Sequence, residues 1–428
     1  MDWKKIYESK RMSLRAAAAL IDSGDTLWAG SYCSNPVQLL DALADRRDEL
    51  KGVRIVTALQ CAPHRYLAGT FRGHIEAHTI FCGMWDRKFY SEGNVHINSV
   101  PYSQSGYALR DIWKVNTLFV EVSEPDEDGY LYYGPLGVAW NGRVASYAQK
   151  KIVQVNRFQG RARGKNNRIH VSEVDAICQY DHPLPEMQQP AVCETDRKIA
   201  SYIVPRISDG ATLQIGLGGI ANAVAYGLEG KKRLGIHTEM MTDSLVYLAK
   251  KGAIDPDNVR AGFGMGSQQV YDYCTSGIPE MMDICEINDP YFAGSHDNFV
   301  SINSCLMADL TGQIASESIG FRQFSCTGGQ LDYVTAAQIS RGGQSYLCLK
   351  STHPGPDGRP QSSITAALPA GQAITTPRSA VMSVVTEWGC ADLRNRPLDE
   401  RVHAMIAIAH PDFRKQLEED ARKYGLLF

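Results

Sequence analysis

Apolar and polar positions fall into one pattern twice along the chain. In "SGDTLWAGSYCSNPVQLLDALADRRDELKGVRIVTA", residues 23–58, an apolar run at Thr26–Ala29 breaks at Gly30. It passes into a segment of helical spacing and resumes as a second apolar run ending at Thr57. In "SDGATLQIGLGGIANAVAYGLEGKKRLGIHTEM", residues 208–240, the order recurs as Thr212–Ile215, a turn at Gly216, a helix, and an apolar run ending at Thr238. Strand, short glycine turn, helix and strand make a βαβ unit, whose strands run parallel and whose helices cover the sheet. The copies start about 186 residues apart. They predict an α/β protein of two similar domains, each a parallel-rich sheet flanked by helices, as after a duplication and fusion.

The join falls in residues 177–210, where "HPLPEMQQP" carries three prolines in nine residues and suits a linker. This places one domain at 1–185 and the other at 186–428. "ETDRKIASYIVPRI" then reads as the first helix of the second half, with Thr195 or Asp196 near its start. Two further helices are expected at the C-terminus, divided at His410-Pro411, with Pro411 at a first helical position. The N-terminal 25 residues read as a surface helix around "AAAALI".

Composition narrows the class only by exclusion. With 44% hydrophobic and 21% charged residues the chain is of ordinary globular make-up. A net charge of −3 supplies no basic field for nucleic acid or an anionic membrane. No apolar run approaches the roughly 20 residues that span a bilayer, and no secretory signal pattern is present, so a cytoplasmic protein is expected. The eleven cysteines are scattered without a C-x-x-C pair and read as free, mostly buried thiols of a reducing compartment. "HIEAH", His74–His78, lacks an acid directly after its first histidine, so it misses the H-E-x-x-H zinc pattern and no metal is expected.

Chemistry enters with the difference between the copies. The first ends "RIVTALQCAP", whereas the second delivers Glu239 directly after Thr238, in "GIHTEMMTDS". An acid there suits either a helix N-terminus or an active-site carboxylate held at a strand tip. "QIGLGGIANAV" also fits G-x-G-x-x-A through Gly216, Gly218 and Ala221, and the acid of a dinucleotide fingerprint would fall on Glu239 itself. In either case the backbone N–H groups of a glycine turn at a helix start make an anion or oxyanion site. Three more glycine turns follow, in "AGFGMGSQQVYDY", "ESIGFRQFSCTGGQLDYV" and "SRGGQSYLCLKST". No G-x-S-x-G elbow supports a serine hydrolase.

Together "DGATLQIGLGGIANAV", "LGIHTEMMTDSLVYL", "GFGMGSQQVYDY", "ESIGFRQFSCTGGQLDYV" and "TEWGCADLRNRPLDERVHAMIAIAHPDFR" resemble the acetyl-CoA hydrolase/transferase family, with "PDEDGYLYYG" and "HVSEVDAI" adding to the likeness in the first half. Within that family the resemblance is to bacterial butyryl-CoA:acetate and 4-hydroxybutyrate CoA-transferases. It implies two α/β domains with the active site between them, and a homodimer. It implies that Glu239, the glutamate of H-T-E, is the nucleophile. It also implies that Gly216, Leu217, Gly218, Gly219 and Ile220, together with the Gly328-Gly329 turn, meet coenzyme A. The substrates would be an acyl-CoA and a short-chain carboxylate such as acetate, with no metal and no cofactor beyond CoA as a substrate. Acyl-CoA hydrolysis on the same scaffold is the alternative, and a dinucleotide-binding oxidoreductase is a more distant one. One departure stands out: Cys326 occupies the position of a glycine in the usual S-G-T-G-G-Q. If that position needs a positive φ, the turn must differ; otherwise Cys326 is a small neutral change.

Overall fold

The first βαβ copy folds as its pattern predicts. Strand β1 (Thr26–Trp28) turns at Gly30, helix α1 (Val37–Ala44) follows, and β2 (Val53–Thr57) pairs with β1 in parallel. Gly30 has φ 61°, and a Cβ there would stand 2.8 Å from the Ser34 Oγ, so the turn admits no side chain. The computed structural model describes residues 2–137 and 139–428. Strands β3 (Ile75–Thr79), β4 (Val95–Ile97), β5 (Thr117–Val122), β6 (Lys150–Val155) and β7 (Ala176–Gln179) complete a parallel sheet of order β4-β3-β2-β1-β5-β6-β7. Alternation sends Leu27, Ile55 and Ala77 to one face and Trp28 and Val56 to the other, and each face is covered by its own apolar cluster.

The second copy repeats this plan. After helix α2 (Glu194–Ile203) come β8 (Thr212–Ile215), α3 (Gly219–Gly227) and β9 (Leu234–Met241). Strands β10 (Ile254–Gly264), β11 (Glu280–Met281), β12 (Phe299–Ser304), β13 (Gln344–Cys348), β14 (Ser383–Thr386) and β15 (Gly389–Asp392) build a sheet of order β11-β10-β9-β8-β12-β13-β14-β15. Strand β8 pairs in parallel with both β9 and β12, and only the β14–β15 edge is described as antiparallel. In each sheet the strand that opens the copy sits centrally. Its successors extend one way (β2 to β4; β9 to β11) before the chain crosses to the other side at β5 or β12. That shared crossover is the structural form of the duplication.

Cα proximity divides the chain into two compact units, neither of them one continuous stretch. The first runs to Gln188 and takes in Glu239–Met241 and Arg260–Ile287; the second comprises Gln189–Thr238, Thr242–Val259 and Asn288–Phe428. Residues 180–193 form neither helix nor strand, in keeping with their prolines. Helix α2 begins with Asp196 in its first turn, whose carboxylate accepts the Cys193 N–H at 3.0 Å. The C-terminal helices span Leu398–Ile408 and Pro411–Lys423, and Pro411 opens the second as expected.

Two expectations need correction. The N-terminal segment is two helices, Trp3–Lys10 and Leu14–Ala18, and Ala17 and Ala18 of the second are buried in a cluster rather than lying on the surface. Strand β9 does not stop at Thr238 but continues to Met241, because Met240 and Met241 are buried and extend its apolar pattern. No helix among the described residues is long and apolar enough to cross a membrane.

Candidate active site

Glu239 lies inside β9, two residues before its end, so it is neither a helix cap nor a strand tip. The next helix (Asp243–Lys250) has Thr242 as its cap residue. The Glu239 side chain is half-buried among neighbours that are fully buried. Alternation along the strand sets Met240 on the opposite face, in the apolar cluster of the first unit with Trp140, Phe263 and Met265. The Glu239 backbone is closely approached: a Cβ on Gly262 would stand 2.8 Å from the Glu239 carbonyl oxygen and 3.1 Å from Ile284 Cδ1. Gly262 thus lets β10 lie flat against the glutamate's strand. Sequence reading assigned no role to this glycine.

His237, two residues earlier, is fully buried in the second unit. Its Nδ1 lies 3.1 Å from His296 Nε2, and the rings of Phe292, Phe299 and Tyr333 pack around it. The histidine of the H-T-E motif therefore serves to anchor the strand.

The glycine loop occupies the second unit, at the carboxyl end of β8. Leu213 lies level with Ile236 in the parallel pairing of β8 and β9, and the loop leaves the carboxyl edge of that sheet. The chain crosses there from one side of β8 to the other, and open α/β sheets present their ligand crevices at such points. Each glycine is required for its own reason. A Cβ on Gly216 would stand 2.9 Å from Asn303 Oδ1, and one on Gly219 would stand 2.5 Å from Asp196 Oδ2. Gly218 has room beside it, with Ser304 Oγ at 3.7 Å from a built Cβ, but its φ of 127° disfavours a side chain. Leu217 is 41% exposed and Ile220 is buried, so the loop offers one apolar side chain outward and tucks the other into the fold. The first N–H groups of α3 have no acceptor within the helix, which leaves them able to meet an oxyanion or phosphate.

Side chains that the sequence reading did not reach hold this edge. The Gln214 Oε1 accepts from Ser301 Oγ at 2.8 Å and from Asn303 Nδ2 at 3.0 Å, tying β8 to β12 directly under the loop. Lys350, just beyond β13, donates to Cys193 Sγ at 3.4 Å and pairs with Asp196 at 3.4 Å. Partial burial lowers the Lys350 pKa, but those two partners outweigh it and the net shift is upward. Only the sheet order brings these residues together, so no linear motif could have found them.

Gly328, with φ 55°, and Gly329 lead into helix α4 (Gln330–Ile339). Cys326 is buried, and its φ is not positive. The position does not require glycine, so Cys326 is accommodated without strain. Glu239 belongs to the first unit, whereas Gly216–Ile220 and Gly328-Gly329 belong to the second.

Two parallel-rich sheets of one strand order, with a glycine loop at the second sheet's crossover and a glutamate within the strand that follows, define a duplicated CoA-transferase-type α/β fold. The chain belongs to the acetyl-CoA hydrolase/transferase family, whose N-terminal domain matches residues 1–187 and whose C-terminal domain matches residues 266–421. Glu239 lies between those stretches, but full-length relatives cover it. The chain is 34% identical to the 4-hydroxybutyrate coenzyme A transferase of Clostridium kluyveri, over 99% of this chain and 100% of that one. It is 35% identical to the butyryl-CoA:acetate CoA-transferase of Anaerostipes caccae, over 99% and 98% of the two. Among solved structures, RipA from Yersinia pestis superposes with a TM-score of 0.92 at 31% identity over all of both chains. The 4-hydroxybutyrate CoA-transferase from Porphyromonas gingivalis gives 0.82 at 30% identity, over 99% and 100%.

Proposed function

We propose that this protein is a CoA-transferase that moves coenzyme A from a short-chain acyl-CoA to a carboxylate such as acetate, with Glu239 as the nucleophile. The observation that carries the reading is likeness to CoA-transferases along essentially the whole chain, at 33–36% identity. The acetyl-CoA hydrolases match less of it, at 26% identity over 48% of the chain for the Candida albicans enzyme. The dinucleotide reading is set aside because CoA-transferase relatives match the chain along essentially its whole length, the glycine loop included.

In the proposed reaction the Glu239 carboxylate attacks the acyl-CoA carbonyl, the carbon–sulfur bond breaks, and CoA thiolate leaves behind a mixed anhydride. The thiolate then attacks the glutamyl carbonyl; the substrate's carboxylate departs and a glutamyl-CoA thioester remains. An incoming carboxylate attacks that thioester and forms a new anhydride. The thiolate released from Glu239 attacks its acyl carbonyl, and a new acyl-CoA leaves with Glu239 restored. Charge is conserved throughout, since one carboxylate and one thiolate exchange acyl groups, and the kinetics are ping-pong. Backbone N–H groups of Gly218 and Gly219 are assigned to the thioester oxyanion, and Gly216–Ile220 with Gly328-Gly329 to CoA. Butyryl-CoA with acetate, or 4-hydroxybutyryl-CoA, is the assigned pairing, in keeping with the relatives' substrates. We assign the enzyme to the cytoplasm as a homodimer; no disulfide joins its eleven cysteines, which suits a reducing compartment.

Incubation with butyryl-CoA and no acceptor tests the chemistry. A transferase retains CoA as a thioester on the peptide carrying Glu239, seen as added mass and lost on borohydride reduction. Continuous release of free thiol without an acceptor would replace this reading with hydrolysis.

A further inference from the structure

The edge of the first sheet carries a side-chain cluster that the proposed reaction does not use. Strand β4 is three residues long and pairs with β3 alone. In that pairing His96 stands directly opposite His78. Glu76 lies two residues before His78 on β3, hence on the same face. One donor atom from each of Glu76, His78 and His96 lies within 4.8 Å of the other two. The His78 Nε2 is 3.9 Å from Glu76 Oε2, and the two imidazoles stack with centroids 4.7 Å apart and planes 22° from parallel.

One atom in the cluster is unexplained by the protein alone. The His78 Nε2 is buried and has no hydrogen-bond partner, although buried ring nitrogens are nearly always satisfied. It faces a carboxylate and a second imidazole across a gap too wide for hydrogen bonds and of a size for an ion. His96 is exposed, so the gap is open to solvent. Arg54 lies opposite Glu76 on β2, but among the described residues no ion pair joins them. His74, the other histidine of "HIEAH", does not belong to this group of donors within 4.8 Å of one another; its Nδ1 is engaged with the Leu50 carbonyl at 2.9 Å.

We propose that Glu76, His78 and His96 bind a zinc ion that clamps the edge strand β4 to β3. Two imidazoles and a carboxylate are a borderline N/O donor set, suited to zinc, nickel or copper rather than to magnesium or calcium. Zinc holds such donors at about 2.0–2.2 Å, which puts them roughly 3.3–3.5 Å apart around a tetrahedron. The donors must therefore close by about 1 Å. The exposed His96 makes that movement by turning its ring out of the stack, because near-parallel rings cannot both aim their in-plane lone pairs at one ion. Three protein ligands leave the fourth position to water. The zinc-protease spacing sought in the sequence belongs to helices, where residues four apart share a face; on a strand the alternation does this work and the third ligand comes from the neighbouring strand.

The test uses the full-length protein after treatment with a chelator. Calorimetric titration with Zn2+ is expected to show one ion bound per chain and a raised melting temperature, and Co2+ to give a visible ligand-field band. Mg2+ should do neither. His96→Ala, at an exposed position that leaves the fold intact, should weaken Zn2+ binding by about tenfold or more and abolish the band. Glu76→Gln should weaken binding while preserving shape. Cys193→Ser should leave it unchanged, which separates this cluster from the exposed thiol. Failure to bind Zn2+ saturably, or undiminished binding by the His96→Ala protein, would overturn the proposal.

Discussion

One methylene decides whether the Glu239 carboxylate reaches its target. Glu239→Asp retracts the carboxylate while β9 keeps its backbone, so transfer should fall by about tenfold or more, and Glu239→Ala should abolish it. Because the side chain is only half-buried, both variants should melt within a few degrees of wild type. An acid with a purely structural role predicts the reverse, a lowered melting temperature with turnover intact. A second acid has the opposite profile. Glu121 is fully buried in β5 and accepts hydrogen bonds from Gln154 Nε2 at 2.8 Å, Asn156 Nδ2 at 2.7 Å, Gln159 Nε2 at 2.9 Å and His182 Nε2 at 2.8 Å. The hydrogen bond to Glu121 raises the His182 pKa, burial opposes it, and the Glu121 charge adds to the rise. A raised folded-state pKa means stability that is fully present below the unfolded value of about 6.5 and lost as pH rises through the folded value. The difference in urea midpoint between wild type and His182→Ala should therefore be larger at about pH 5.5 than at about pH 9. An equal difference at both would exclude the ion pair. Nothing in "TLFVEV" marks Glu121 as a hub, since its partners lie on another strand and two loops.

Among the elements, the loop between β8 and α3 separates conformation from packing. Gly218→Ala forces a side chain into a φ of 127° without touching a neighbour, so the loop's N–H groups should re-aim. Transfer is expected to slow by about tenfold while the melting temperature changes little. Gly219→Val acts differently, because its Cβ would displace the Asp196 carboxylate that caps α2. That variant should lose about 1 kcal/mol or more of stability, read as a lower melting temperature. Single-turnover adduct formation measured on the same samples distinguishes the two; a Gly218→Ala protein with wild-type adduct rates would remove the oxyanion role. The strands and helices of both copies were legible because apolar runs, glycine breaks and Pro411 mark them locally. The full length of β9 was not, since Thr238 and Glu239 interrupt the apolar run that buried Met240 and Met241 resume. The Gln214–Asn303 ties were invisible for a further reason: they depend on β12 crossing beside β8, which local pattern does not encode.

For the whole molecule, the decisive feature is the discontinuity of the first unit. Its apolar cluster unites Trp140, Tyr102 and Leu136 with Met240, Phe263, Met265, Ile284 and Ile287. A fragment ending at residue 185 keeps all seven strands of the first sheet but loses those later side chains. Such a fragment should bind the dye ANS and melt without a sharp transition, whereas the intact chain melts cooperatively. A sharply melting, dye-silent fragment would show that the cluster closes without them. The same discontinuity bears on the order of biosynthesis. On the ribosome, the 99 residues from Gln189 to Ile287 must be made before the first unit can close. At about 5–20 residues per second that is a wait of roughly 5–20 s, during which the cluster on one face of a finished sheet lacks Met240, Phe263, Met265, Ile284 and Ile287. The nascent chain in this interval is a natural client for chaperones, and slowing translation across residues 189–287 should lower soluble yield more than slowing it after residue 288.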